Sequence, residues 1–181
     1  MKSEHTRIVL GETLVKLMKI KPLDKISVAE VISVCNLSRR TFYYHFKDKQ
    51  DLVCWIFDKV ILEQANFDEF PIDALRNYMY HNRGFYINVI QSAIGSKFRK
   101  HIFDFIYGYC YKQILKILGD RAMDTKRIRF FTNYFTHAII GCTLDWVEDG
   151  GMPCPKKDID GGYREVTIRC MHFTMDEYAT D

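Results

Sequence analysis

The sequence predicts an all-α protein: a three-helix helix-turn-helix head followed by a larger helical domain, about nine helices in all. Three observations predict it. Only four prolines and ten glycines interrupt 181 residues. Apolar residues recur at three- to four-residue spacing through most of the chain. In residues 27–55, SVAEVISVCNLSRRTFYYHFKDKQDLVCW, two short helical patterns meet at the three-residue break Asn36-Leu37-Ser38, the layout of two helices joined by a tight turn.

Composition sets the bounds. Hydrophobic residues make up 48% of the chain, enough for a real core in one domain or in a small domain joined to a larger one. Thirteen Phe and eleven Tyr are a heavy supply for one small core, so some are expected to line a cavity. Residues 1–50 carry ten Lys or Arg against five Asp or Glu, a balance of +5, whereas the remainder balances at −2. A basic N-terminal part on a near-neutral body points to a polyanionic partner for that part. The six cysteines show no zinc-ligand spacing. The N-terminal MKSEHTR has no apolar signal core, and no apolar run approaches membrane-span length. A cytoplasmic protein with reduced thiols and no metal or cofactor is expected.

Helix 1 is expected over Thr6–Lys19, where Ile8, Gly11, Leu14 or Val15, and Met18 recur at three- to four-residue spacing before Lys21-Pro22 stops it. Ser27 caps helix 2, Val28 to about Val34, with Glu30 completing a capping box. Asn36 sits at the turn, where positive φ is needed and Asn is tolerated best after Gly. Ser38 caps helix 3, in which Phe42 and Phe46, four residues apart, share a buried face. Asp48 caps helix 4, which runs to about Phe67 and links a head of residues 1–50 to a domain of residues 51–181. Further helices are expected over Ile72–His81, Phe85–Ile94, Phe98–Leu118, Lys126–Val147 and Gly162–Tyr178, punctuated by Gly84, Gly95, Gly119 and Gly150-Gly151.

With Phe42 and Phe46 turned inward, the remaining side chains of helix 3 point elsewhere. Arg39 and Arg40 in its first turn suit bidentate bonds to guanine O6 and N7. Thr41 suits a thymine methyl or a phosphate, and Tyr43, Tyr44, His45 and Lys49 suit phosphate oxygens. Ser27 and Ser38 offer hydroxyl and N–H groups at the two caps. Any one of these is equally well a solvated charge or a core ring. So many polar groups leaving one short helix point to duplex DNA as partner.

The segment TFYYHFKDKQDLVCWIF at 41–57 resembles the TetR/AcrR transcriptional regulator signature, T-[LF]-Y-x-H-F-x-x-K-x-x-L. The resemblance covers residues 8–55. Asn36-Leu37 stands where that family usually has Gly-Val, which preserves the turn. Arg40 stands where Gly is common, which adds a charge at the groove face and implies a different operator preference.

The resemblance implies an all-helical homodimer whose C-terminal domain holds a small-molecule pocket and dimerises through its last two long helices. The implied function is a repressor released by a small effector of unknown identity, bound to a palindromic operator. Pocket candidates are Tyr78, Phe85, Tyr86, Ile90, Phe103, Ile106, Tyr107, Cys110, Tyr134, Phe135 and His137. Dimer candidates are Phe131, Phe135, Ile139, Cys142, Trp146, Ile168 and Met171. The segments Phe85-Tyr86 to Ile90 and Trp146 to Met152 are more loosely similar to the DhaS-type subgroup of activators, so an activator or co-regulator working through a partner protein is the alternative. No nucleophile–base spacing, metal motif or cofactor loop suggests an enzyme.

Overall fold

The computed structural model describes residues 2–64, 79, 81–148 and 162–180, and every regular element among them is helical. The elements are α1 (Lys2–Met18), a 3-10 turn (Leu23–Lys25), α2 (Val28–Val34), α3 (Arg39–His45), α4 (Lys49–Gln64), α5 (Arg83–Ile90), α6 (Gly95–Leu118), α7 (Thr125–Glu148) and α8 (Gly162–Tyr178). The expected all-α class is met. The expected helix Ile72–His81 falls almost wholly outside the described residues. Helix α1 starts four residues earlier than its apolar spacing indicates, and α6 starts at Gly95 rather than Phe98.

The chain divides into two compact units, one holding Met1–Gln64 with Asn82–Arg99, the other the rest. In the first, α1 contributes Leu10, Leu14 and Met18 to a core completed by Val31, Ile32, Phe42, Phe46, Leu52, Val53 and Phe57. Helices α1 and α4 approach so closely that a Cβ on Gly11 would stand 3.0 Å from the Trp55 ring and 3.2 Å from Ile56. Helix α5 adds Tyr86, Val89 and Ile90 to the same core, and the Tyr86 ring stacks on Phe98 with centroids 6.4 Å apart.

Gly95 makes the turn from α5 to α6 possible. A Cβ there would lie 2.1 Å from the Ile90 carbonyl oxygen, so only glycine fits.

In the second unit, Ile102, Ile106, Cys110, Ile114 and Leu118 form one buried stripe of α6, the spacing of a helix face. Helix α7 buries Phe135, Ile139, Leu144 and Val147, and α8 buries Met171 and Met175. The buried Thr132 and Thr136 hydroxyls donate to the carbonyls of Ile128 and Thr132 at 2.7 and 2.6 Å, which satisfies them within their own helix. Arg121 closes α6. Its guanidinium donates to the Ile117 carbonyl at 2.9 Å and to Asp176 on α8 at 2.6 Å. Beside it Ala122 and Thr180 exchange two backbone hydrogen bonds of 3.0 Å.

Candidate nucleic-acid interface

The geometry of α3 begins with its flanking turns. Ser27 Oγ accepts from the Glu30 N–H at 3.1 Å and so caps α2. The Glu30 carboxylate does not close the expected box but pairs with Lys21 at 2.6 Å. Helix α2 ends in a left-handed residue, Asn36, with φ of 53°. The Leu37 N–H donates to Ile32 at 2.9 Å and the Asn36 N–H to Ser33 at 3.2 Å, the paired bonds of a Schellman ending. This turn aims α3.

Helix α3 is then seated by two rings. Phe42 and Phe46 are fully buried, with centroids 5.9 Å apart, and Trp55 of α4 meets Phe46 at 5.6 Å. Tyr43 is 54% and Tyr44 80% exposed. Arg39 and Arg40 are exposed too, while Thr41 and His45 are half-buried. Ser38 Oγ accepts from the Thr41 N–H at 3.0 Å and shares a 2.8 Å hydrogen bond with its hydroxyl. An exposed Tyr44 edge rests on His45 at 4.9 Å. Helix α4 opens with reciprocal caps. Asp48 accepts from the Asp51 N–H at 2.8 Å, and Asp51 accepts from the Lys47 N–H at 2.9 Å.

Lys49 departs from the phosphate contact expected of it. Its ammonium donates to the carbonyls of Leu23 and Ile26 at 2.6 and 2.7 Å. Burial holds it below the usual lysine range, with the Asp24 charge opposing that shift. It fastens α4 to the 3-10 turn, a structural task that the sequence pattern does not reveal.

Two further residues carry this junction. Asn88 on α5 accepts from the Leu23 N–H at 2.7 Å and donates to the carbonyls of Met18 and Lys21 at 3.1 and 3.2 Å. Asp24 accepts from the Ala93 N–H at 3.1 Å. Both were missed in the sequence because their partners lie 65 to 70 positions away.

Two family models match the chain. Residues 12–54 match the model for bacterial regulatory proteins of the tetR family, and residues 70–160 match that for a transcriptional regulator C-terminal region. The chain belongs to the tetR family. Members of this family are DNA-binding transcriptional regulators.

Among the relatives of this TetR-family protein is the Lactococcus lactis dhaKLM operon transcriptional activator DhaS, 29% identical over 65 residues, which are 36% of this chain and 35% of that protein. Another is the Shigella flexneri transcriptional regulator AcrR, 25% identical over 116 residues, 60% of this chain and 51% of that protein. The matched stretches thus span about a third and about half of these relatives.

Among solved structures, the dihydroxyacetone kinase operon activator DhaS shares the fold with a TM-score of 0.68 at 18% identity, covering 97% of this chain and 98% of that one. NalD of Pseudomonas aeruginosa, the secondary repressor of the MexAB-OprM multidrug efflux pump, has a TM-score of 0.55 at 15% identity, covering 99% and 98%.

The TetR-family body places the remaining candidates as follows. Tyr86 and Ile90 are buried in the first unit, where the half-buried Phe85 meets Tyr86 edge-on at 5.2 Å. In the second unit Phe103 lies 5.0 Å from the His137 ring and 6.0 Å from Tyr107, which stacks on Tyr111. Ile106 and Cys110 are core residues there. Burial pushes the Cys110 thiol up to about 11, against a hydrogen bond with Thr136. Tyr78 lies outside the described residues.

Tyr134 is not grouped with Phe103. It stands 62% exposed and lines a groove of 580 Å³ between α7 and α8 with Phe135, Ile139, Val166, Cys170 and Phe173.

Of the dimer candidates, Phe135, Ile139 and Met171 are buried within the subunit, Phe131 packs on Tyr178 at 5.3 Å, and Ile168 is half-buried. Cys142 is exposed, and the Trp146 side chain lies outside the described residues. The large apolar side chains left open on these two helices are Phe130, Tyr134, Val166, Phe173 and Tyr178. A broad apolar face on α7 hid this division, because periodicity does not say which half of a wide stripe a neighbouring helix covers. Among the described residues no group of His, Cys, Asp and Glu is placed to hold a metal ion, and no helix is long and apolar enough to cross a membrane.

Proposed function

We propose that this chain is a cytoplasmic, sequence-specific repressor that binds a palindromic operator as a homodimer and is released by a small-molecule effector. The observation that carries the reading is the two-sided build of α3: Phe42 and Phe46 are in the core while Arg39, Arg40, Tyr43 and Tyr44 face solvent. That is the division a major-groove helix needs. Arg39 and Arg40 read bases, and Tyr43, Tyr44, Thr41, His45, Ser27 and Ser38 hold phosphates and set register.

Two heads are needed because a single one reads only a half-site. The open α7–α8 side chains Phe130, Tyr134 and Phe173, each more than 60% exposed, are the surface we assign to the second copy. The effector sits in the body beside Phe103, Tyr107 and His137. It selects a head spacing that no longer matches adjacent major grooves, which shifts a population rather than unfolding the protein.

The test is selection of bound duplexes from a random-sequence pool, followed by titration against salt. A palindromic consensus and steep salt dependence are expected. Arg39→Ala is expected to relax preference at one position of each half-site by about 1–3 kcal/mol. Binding no tighter to selected duplexes than to arbitrary ones would remove the reading.

The likeness to DhaS, named an operon activator and sharing the fold over 97% of this chain, supports a second reading in which the protein activates through a partner protein. A reporter placed behind the selected operator decides the sign: deletion of the gene raises output from a repressor's target and lowers it from an activator's.

A further inference from the structure

Arg7 on α1 is half-buried against two aromatic rings. Its guanidinium carbon lies 5.3 Å from the centroid of Phe46 and 5.2 Å from that of Trp55. Both rings belong to the seat of α3: Phe46 is its C-terminal cap residue, and Trp55 packs edge-on against Phe46. The ring of His45, the last residue of α3, lies 6.4 Å from Phe46.

The guanidinium therefore sits next to the end of the reading helix, with its rotamer fixed by two aromatic faces. The Nε–H is buried and has no acceptor. The nearest carboxylate among the described residues, Glu4, stands 4.0 Å away, beyond hydrogen-bond length, and both side chains remain partly open at 35% and 57% exposure.

A side chain kept only to fill the space between α1, Phe46 and Trp55 would be better served by an apolar group. An arginine there strands its Nε–H without an acceptor, and its partners within the protein are two ring faces and a carboxylate 4.0 Å away. What it gains is a charged fork, already oriented by the rings and 35% open to solvent. A phosphodiester oxygen supplies what is missing. Arginine answers phosphate with two parallel N–H···O bonds, and the restriction imposed by the rings lowers the entropy lost on contact.

We infer that Arg7 is a DNA-binding residue that grips a backbone phosphate beside the C-terminal end of α3. The inference rests on the reading of the head as a duplex-binding module. It adds to that module a contact from α1, outside the helix-turn-helix. The contact reads no base. It fixes how far along the groove α3 lies.

The experiment measures affinity against salt for duplexes selected by the wild-type protein and for a duplex of unrelated sequence, by anisotropy of a labelled strand. Arg7→Met keeps the apolar stem and Arg7→Gln keeps a planar group against the rings, so two neutral variants guard against loss of fold, which circular dichroism monitors. Each is expected to weaken binding about tenfold on both duplexes and to lower the slope of log affinity against log salt by about 1. Arg7→Lys is expected to retain the slope, since an ammonium still pairs with phosphate.

A folded neutral variant that binds with the wild-type slope, or a loss of binding that merely tracks loss of folded protein, overturns the assignment. A wild-type protein that shows no salt-dependent duplex binding takes down the parent reading as well, and is recognised before any variant is made.

Discussion

Lys49 shows how a side chain can carry the right motif position and a different task. Its two carbonyl partners leave it committed to the frame. Lys49→Met is therefore expected to lower stability by about 1–3 kcal/mol, because the Ile26 carbonyl loses the ammonium and the Leu23 carbonyl keeps only the Ile26 N–H. The salt slope of duplex binding should stay unchanged. Thermal melts and salt titrations on the same preparation check both halves. The thiols give a second expectation at this scale. Burial raises both Cys54 and Cys110 from 9.0 to about 11, with Asp58, Asp51 and Asp48 adding to the effect at Cys54. The folded chain thus keeps a proton that the unfolded chain releases. Their contribution to stability is whole below pH 9.0 and is lost as the pH climbs toward 11. A denaturant midpoint that falls over that window, with neither thiol alkylated in native protein at pH near 8, is the expected outcome. The outward cast of Arg39, Arg40, Tyr43 and Tyr44 was legible in the sequence because the period of a helix and its caps are local. The duty of Lys49 was not, because its partners sit 26 and 23 positions away.

Among the elements, the connections carry more constraint than the helices. Gly95→Ala places a methyl carbon 2.1 Å from the Ile90 carbonyl oxygen. Backbone has to move, so a loss of at least about 2 kcal/mol is expected in chemical denaturation. Asn88→Ala removes three hydrogen bonds that tie α5 to the end of α1 and the 3-10 turn. A loss of about 3 kcal/mol follows if each is worth about 1. Amide exchange at Leu23, whose N–H donates to Asn88 Oδ1, should speed up in this variant. Exchange that stays slow there would show that the amide is not what holds the turn. The helices themselves were readable to within a few residues, since Ser38 and Asp48 announce α3 and α4 through their caps. The 3-10 turn was not, because it is a three-residue element held from outside by Lys49 and Asn88 rather than by its own propensity. Glu30 illustrates the same limit: its spacing from Ser27 fits a capping box, yet a long-range lysine takes the carboxylate.

At the scale of the whole molecule, the proposed dimer rests on side chains that α7 and α8 leave open. Phe130, Tyr134 and Phe173 are 64%, 62% and 69% exposed, three large rings open on two neighbouring helices. Replacing Tyr134 and Phe173 together by Asp should move the sedimenting species from dimer to monomer. Affinity for a palindromic duplex should then fall by about 100-fold or more, as two linked half-sites become independent. A variant that still sediments as a dimer would place the interface elsewhere. At this scale the sequence was least informative. Phe135 and Tyr134 are neighbours on one apolar stretch, yet one is core and the other open, a division set by tertiary packing rather than by the stretch itself. The family signature, by contrast, was plain over residues 8–55, because the head's geometry is dictated by a compact run of caps, turn and rings.

Of the seven residues in α3, only Phe42 is fully buried, with Phe46 as its cap behind. The outward positions are accordingly free to be rewritten without disturbing the chassis on which they ride. Lineages that keep this scaffold can change the face that α3 presents through a handful of codons while leaving the rest of the body untouched.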